Sequence, residues 1–254
     1  MSVKKNSLNL LERLSCQKRI LIFSPHPDDD CIGMGSAIFS LSQNNRIKTV
    51  YMTSGWRGVG GNITVSEKKL LRKKEALEAC RILGLNKKHI KFLNLPFYDT
   101  GKIGIRDVDL LRVEIEKFRP QIIFACGESN DPHRTHGKCL KILEKALKRL
   151  KFSPRIIFYR VWEDFKEFNL FLPFGKKIMQ KKIEAIKAHK SQLIPKFSKR
   201  DISSFWKREE KLNKKFAAML RNRGLLRNTN FLFSEVFKAC PANPEKYGDF
   251  RDKK

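Results

Sequence analysis

No apolar run in this chain comes near the roughly 20 residues that a bilayer-spanning helix needs. The longest, such as Ile122-Ile123-Phe124-Ala125-Cys126, are of strand length. The N-terminal stretch from Met1 to Cys16 carries Lys4 and Lys5 but neither a continuous apolar segment nor a small-residue cleavage site. No secretory signal is read there, and a cytoplasmic location is expected. Paired cysteines are missing too. The six cysteines (Cys16, Cys31, Cys80, Cys126, Cys139 and Cys240) include no CxxC pair, so reduced, buried thiols are expected rather than a disulfide framework. Acidic residues are scarce: 26 Asp and Glu stand against 54 Lys and Arg, a formal net charge of +28. Such a charge suits a nucleic acid, an anionic membrane or an anionic substrate. The basic residues, however, spread over the whole length as pairs such as Lys87-Lys88 and Lys176-Lys177. The densest patch, Lys68-Lys69 with Arg72-Lys73-Lys74, is interleaved with Glu67, Glu75 and Glu78. That even spread reads as a solvated surface. There is no nucleic-acid motif and no basic stripe with interleaved aromatics, so no firm nucleic-acid partner is assigned. Peripheral contact with an anionic membrane or glycolipid stays open.

What is present is enough for a large core. Hydrophobic residues make up 41% of 254 residues, which suits one α/β domain. Apolar, β-branched runs at Arg19–Ser24, Ile47–Thr53, His89–Leu93, Gln121–Cys126 and Arg155–Val161 read as five strands. Helical patterns lie between them, over Gly33–Leu41, Val65–Leu83, Val108–Phe118 and His136–Leu150. Thr64 and Glu67 have capping-box spacing, and Gly84 has the place of a C-terminal cap. This alternation implies a mainly parallel sheet in a Rossmann-like three-layer fold, with ligands at the carboxyl ends of the strands. A short helix is expected over Leu8–Leu14, and helices over Lys176–Lys190 and Phe205–Leu220 are expected to wrap the sheet. The whole chain reads as a single domain, with a core over about 17–200 and a helical C-terminal extension over about 201–254.

Two clusters carry chemistry. Ser24-Pro25-His26-Pro27-Asp28-Asp29-Asp30 follows the first of those strands. One histidine and three carboxylates within five residues concentrate charge that a cation would relieve, in an N/O ligand set that suits Zn²⁺, Fe²⁺ or Mn²⁺. A solvated acidic turn capping the next helix is the plain alternative. Asp131-Pro132-His133-Arg134-Thr135-His136 follows the fourth strand and reaches the same sheet edge. Together the clusters offer three protein ligands and leave room for water, as catalytic zinc sites do.

These residues resemble the LmbE-like, or PIG-L, de-N-acetylases. The likeness rests on Pro25-His26-Pro27-Asp28-Asp29-Asp30, on His133-x-x-His136 and on the late Ala188-His189-Lys190-Ser191-Gln192. Leu95–Gly101 and the tail around Phe205-Trp206-Lys207-Arg208 are similar to the LmbE-type domain fused to some bacterial glucosamine-6-phosphate deaminase-like proteins. The resemblance covers roughly residues 17 to 240. It implies Zn²⁺ (Fe²⁺ being the alternative) on His26, Asp29 and His136, with Asp28 as general base. His133, as imidazolium, would stabilise the oxyanion, and His189 would contact substrate or support the site. The family's usual Glu after the Asp pair is Asp30 here, one methylene shorter, which implies a rearranged bond behind the ligands. The implied activity is metal-dependent removal of an N-acetyl group from an amino sugar of the N-acetylglucosamine type, phosphorylated or otherwise anionic. An amidase of a non-sugar N-acyl conjugate on the same metal site is the alternative, and a basic nucleic-acid-binding protein is the third reading.

Other residues support smaller expectations. Arg57, in a loop with Gly55, Gly58, Gly60 and Gly61, is a candidate to bind a phosphate or sugar hydroxyl. Glu128 and Asp131 are candidates to orient His133 or His136. Cys31 reads as a small buried residue rather than a ligand. The aromatic stretch Phe165–Phe174 reads as packing, a lid or a membrane-touching edge.

Overall fold

The computed structural model describes residues 2–14, 17–127, 131–193, 205–226 and 230–240. Its centre is an eight-stranded sheet in the order β1-β7-β8-β6-β5-β2-β3-β4. The strands are β1 (Ser2–Asn9), β2 (Arg19–Ser24), β3 (Arg46–Tyr51), β4 (Ile90–Phe92), β5 (Ile122–Cys126), β6 (Arg155–Tyr159), β7 (Glu167–Phe174) and β8 (Phe233–Ala239). Only β8 runs antiparallel to its neighbours, β6 and β7. The period-two pattern of β2 explains the two-sided core. Ile20 and Ile22 face one layer, Leu21 and Phe23 the other, and all four are at most 1% exposed.

Helices α2 (Asp29–Leu41), α3 (Val65–Ile82) and α7 (Lys176–Ala188) cover one face. Helices α5 (Ile105–Phe118), α6 (Arg134–Leu147) and most of α9 (Phe205–Asn222) cover the other. Three single-turn helices, α1 (Leu10–Arg13), α4 (Phe97–Thr100) and α8 (Lys190–Leu193), complete the set. The Thr64–Glu67 capping box forms as expected, with Glu67 N–H donating to Thr64 Oγ1 and Thr64 N–H to Glu67 Oε2. Gly84 ends α3 at φ +83°. Helix α2 is broken at Met34 (φ −146°), which frees the N–H groups of Ser36 and Ala37. The Glu235 carboxylate from β8 accepts both, at 3.0 and 2.8 Å. Gly33 permits the close approach of α2 to β6, since a Cβ there would lie 2.4 Å from the Arg160 carbonyl oxygen.

Three expectations need correction. Residues 8–14 do not form one helix: Leu8 and Asn9 end β1, and only Leu10–Arg13 is helical. Of the three readings of Phe165–Phe174, packing holds, and lid and membrane edge fall away. The stretch holds β7, between β1 and β8, where Phe168, Leu172 and Phe174 are fully buried. Among the described residues after 200, helix α9 (Phe205–Asn222) forms, but the stretch is not helical throughout, because β8 inserts into the sheet. Helix α2 also begins at Asp29, not Gly33, so Asp29 and Asp30 lie in its first turn. The strand order changes direction between β2 and β5, since β3 and β4 lie beyond β2, and β6 lies beyond β5. The loops leaving β2 and β5 therefore open onto a topological switch point, where α/β sheets form their ligand crevice.

Candidate metal centre and its surroundings

The two sequence clusters meet at that crevice. β2 and β5 are hydrogen-bonded neighbours, with Phe23 opposite Ala125, so the loops that follow them start side by side. Asp29, in the first turn of α2, accepts a hydrogen bond from the His26 backbone N–H at 2.8 Å on Oδ2. The same oxygen lies 3.0 Å from His26 Nδ1 and 3.1 Å from His136 Nε2. The two ring nitrogens are 3.2 Å apart. Three donor atoms thus form a nearly equilateral triangle. Tetrahedral ligands about 2.0–2.1 Å from a zinc ion lie roughly 3.3 Å from one another, so the triangle fits such an ion. On its far side, His136 Nδ1 contacts Asp131 Oδ2 at 2.8 Å, the carboxylate–imidazole arrangement that orients a metal-binding histidine. The charges agree. Burial opposes a charged His136, yet the Asp29 carboxylate beside it raises the imidazole's pKa well above its usual range. Burial likewise opposes ionised Asp29, but His136 and His26 hold it well below. A positive charge belongs between these groups.

His133, at the N-cap of α6, stacks on His136 with ring centroids 4.6 Å apart. Burial, and then the neighbouring His26 and His136, push its pKa down to about 4. Its Nδ1 accepts the Thr135 backbone N–H at 3.3 Å, so the neutral ring carries its proton on Nε2. Its backbone N–H donates to Asp131 Oδ1 at 2.9 Å, so Asp131 braces both histidines. Glu128, the other candidate for that task, lies outside the described residues.

Asp28 occupies the N-cap position of α2 but makes no side-chain cap bond, so the plain helix-capping alternative does not hold. Its Oδ2 pairs instead with Arg72 Nη2 at 2.9 Å. Asp30 points away from the ligands. It accepts from Tyr51 Oη at 2.9 Å, and its backbone N–H donates to Ser24 Oγ at 3.2 Å, which ties it to the loop after β2. Burial raises its pKa to about 7. Cys31 is buried with Sγ against the Asp28 carbonyl oxygen, as expected of a small packing residue.

A cavity of about 380 Å³ opens above the triangle, within the size range of small-molecule sites. His26, Asp28 and Asp29 line it, along with Arg57, Tyr98, His133 and Trp162. Arg57 is held at the mouth by the carbonyl oxygens of Tyr98 and Asp99 and by the Trp56 and Tyr98 rings. Trp162 stacks at 19° to His133, with Phe205 edge-on behind it. His189 is not on this wall. It is buried at 2% exposure because, as the residue ending α7, it turns inward; the expectation of substrate contact is corrected to support. The rest of its motif clamps the site. Ser191 donates from N and Oγ to the Glu75 carboxylate, and Gln192 reaches the Gly58 carbonyl oxygen.

Sequence reasoning missed Arg72 and Glu75, which it placed in a solvated patch. A signal was available. Arg72, Glu75, Ala76, Ala79 and Cys80 follow the i, i+3, i+4, i+7, i+8 spacing of one buried helix face. Cys126 was also missed. With Asp131 and His136 it forms one of two groupings of metal-type side chains among the described residues, the other being His26, His133 and His136, but burial pushes the Cys126 thiol up to about 12 and keeps it protonated.

Residues 21–147, half of the chain, match the family PIG-L, GlcNAc-PI de-N-acetylase. The chain belongs to this PIG-L (LmbE-like) family. It is 29% identical over 272 residues to a glucosamine-6-phosphate deaminase-like protein of Bacteroides thetaiotaomicron, an alignment covering 82% of this chain but 41% of that protein. The chain therefore spans well under half the length of that relative. It is 24% identical over 199 residues to an N-acetyl-α-D-glucosaminyl L-malate deacetylase of Bacillus subtilis, covering 69% and 84% of the two chains. In fold, it is similar to N,N′-diacetylchitobiose deacetylase from Pyrococcus horikoshii, with TM-score 0.71 and 20% identity over 92% of this chain and 88% of that one. The PIG-L match spans β2 to α6 and so contains both loops of the crevice.

Proposed function

We propose that this chain hydrolyses the N-acetyl group of an amino sugar of the N-acetylglucosamine type, at a divalent-metal centre held by His26, Asp29 and His136. The observation that carries the reading is the triangle of donor atoms at 3.0, 3.1 and 3.2 Å, set at the base of an open cavity beside a carboxylate that caps nothing. His26, Asp29 and His136 would hold the ion, which when bound would supply Lewis acidity and make water a better nucleophile near neutral pH. Asp28, beside the triangle, takes one proton from the attacking water as its oxygen bonds to the acetamide carbon. His133, neutral, donates its Nε2–H to the amide oxygen as negative charge gathers there. When the C–N bond breaks, Asp28 returns the proton to the departing nitrogen, giving acetic acid and the amine, and the acid then passes its proton to the amine or to solvent, leaving acetate. Trp162, stacked over His133, offers an apolar plane to a sugar ring, and Arg57 offers a cation to an anionic substituent at the mouth. The curated relatives named for acting on glucosaminyl compounds support that choice of substrate.

The test is amine release by zinc-loaded protein from N-acetylglucosamine, its 6-phosphate, N,N′-diacetylchitobiose and an N-acetyl thioether conjugate. The sugars are expected to react. An Asp28→Asn variant should keep its zinc and lose about 10²–10⁴-fold in rate. Undiminished turnover in that variant, or a thioether conjugate preferred over every sugar, would overturn the reading.

A further inference from the structure

Strands β2 to β6 begin side by side at the sheet edge opposite the metal crevice, and a basic residue stands at the start of each. Arg19 opens β2 and Arg46 opens β3, and the two are Cα partners across the pair. Arg119 lies just before β5, and Arg155 opens β6. Backbone bonds from the Gln121 N–H to Arg19 and from the Arg155 N–H to Gln121 keep these starts level. Lys88 and His89 lead into β4, which lies beyond β3. In sheet order the row crosses five neighbouring strands, with gaps of about 4.8 Å between them, and so runs for about 19 Å. Each strand start contributes only one or two members. The row exists only once parallel pairing has brought the starts together, which is why no basic stripe shows along the chain.

Little answers this charge. Lys48, behind Arg46 on β3, is neutralised by Glu114, but among the described residues no carboxylate pairs with Arg19, Arg46, Lys88, Arg119 or Arg155. Arg155 Nε is buried without a hydrogen-bond partner. Arg46 stands over the Phe118 ring at 5.6 Å, and Arg119 over Phe152 at 4.9 Å. An aromatic face holds a cation in place and leaves it charged. His89 registers the crowding: burial, and then Lys88, Arg46 and Lys48, lower its pKa. Like charges set so close repel, so the row costs stability until an anion joins it. At its β3–β4 end lies a shallow depression of about 740 Å³, lined by Gln43, Asn44, Asn45, Arg46, Lys88 and His89, amide and basic side chains without one carboxylate. The row is too long for a single small anion. It includes none of the exposed large apolar side chains that would enter a membrane. We propose that this edge is a docking track for single-stranded nucleic acid. Successive phosphates pair with the row of cations, and the amides of the depression offer donors and acceptors to a base. The inference stands apart from the hydrolase reading, since the track lies at the other end of the strands from His26, Asp29 and His136.

The experiment measures binding of a fluorescent 20-nucleotide oligouridylate to the full chain by anisotropy, over a range of salt concentrations. Because the whole protein is basic, the row is compared with an equal change elsewhere. One variant carries Arg46→Glu, Lys88→Glu and Arg119→Glu; the other carries Lys176→Glu, Lys177→Glu and Lys215→Glu, all exposed and outside the row. The row variant should bind about 30-fold more weakly at 100 mM salt, and the slope of log K against log salt should shrink by about 2, as three lost phosphate contacts require. The control variant should stay within about threefold of the parent. Photocross-linking of a 4-thiouridine oligonucleotide to the parent protein should mark peptides that contain residues 43–48, 86–92 or 118–121, which tests the track even if the row variant does not fold. Equal losses in the two variants would mean that diffuse charge does the binding, and would overturn the proposal. So would cross-links confined to other surfaces, or a parent protein that binds phosphatidylglycerol vesicles and leaves the oligonucleotide free.

Discussion

Two clusters of buried charge meet on helix α2, and they are built on different rules. At the break in the helix, Lys182 Nζ lies 3.1 Å from Glu209 and 2.9 Å from Glu235, while Arg160 pairs with Glu209 at 3.1 Å. Two cations face two anions, all at most 3% exposed. The partner charges outweigh burial to keep Lys182 and Arg160 protonated and Glu209 ionised. At the start of the same helix, Asp28 pairs with a permanent cation, Arg72, while Asp29 and the neighbouring Asp131 lean on histidines. A cluster that neutralises itself needs nothing more and belongs to the fold. A cluster short of positive charge, open to a cavity, is arranged for something that arrives.

Removing a member should separate the two kinds. The largest effect is expected from His136→Ala. It takes one corner from the triangle, so zinc content should fall to background and amine release should drop by several orders of magnitude. Elemental analysis and the amine assay read both. The folded state should survive, because the Asp29 charge left behind is also bonded by the His26 backbone N–H. Next in size is Lys182→Met in the self-neutralised cluster. It leaves Glu235 with only the Ser36 and Ala37 N–H groups and Glu209 with Arg160 as its remaining cation, and should cost about 3–5 kcal/mol of stability, read as a lower urea midpoint with unchanged slope. The zinc content of the folded protein should stay at the parental level. A Lys182→Met protein that folds as well as the parent but loses zinc would erase the distinction.

The same contrast explains what was legible in the sequence. The β2 and β5 loops were readable because His26, Asp29 and His136 are rare residue types set just after apolar strand runs, and parallel pairing does the rest. The alternation from Arg19 to Val161 was readable because the central strands β2, β5 and β6 are buried on both faces and show as continuous apolar runs. The later strands were not. β7 contains Pro173 and Asn169, and β8 reads Phe-Ser-Glu-Val-Phe-Lys-Ala, with Ser234 and Glu235 buried among partners more than 50 residues away. Polarity that looks like surface in sequence is satisfied only in the assembled fold. Arg72 was overlooked in the same way, as one more cation in a basic helix. So was the lowered pKa of His133, which comes from burial and then from the imidazoles of His26 and His136.

His189 gives the smallest and most selective test, because it belongs to the incomplete cluster without touching the ligand triangle. Burial, and then the Arg72 charge, push its pKa down to about 3. In the unfolded chain an imidazole titrates near about 6.5. Between those values the unfolded state binds a proton that the folded state refuses, so stability must fall as pH is lowered from about 6.5 toward 3. The slope for one proton is about 1.4 kcal/mol per pH unit. A His189→Gln variant has no such proton to bind and should lose stability more slowly in acid. Urea unfolding of zinc-free protein at several pH values between 7 and 5 isolates the effect, since metal release would otherwise add its own acid dependence. The variant's stability relative to the parent should rise steadily as pH drops. A difference that stays flat would mean that the imidazole accepts a proton in the folded protein. The unsatisfied interior that sets this cluster apart from the Lys182–Glu235 one would then not exist.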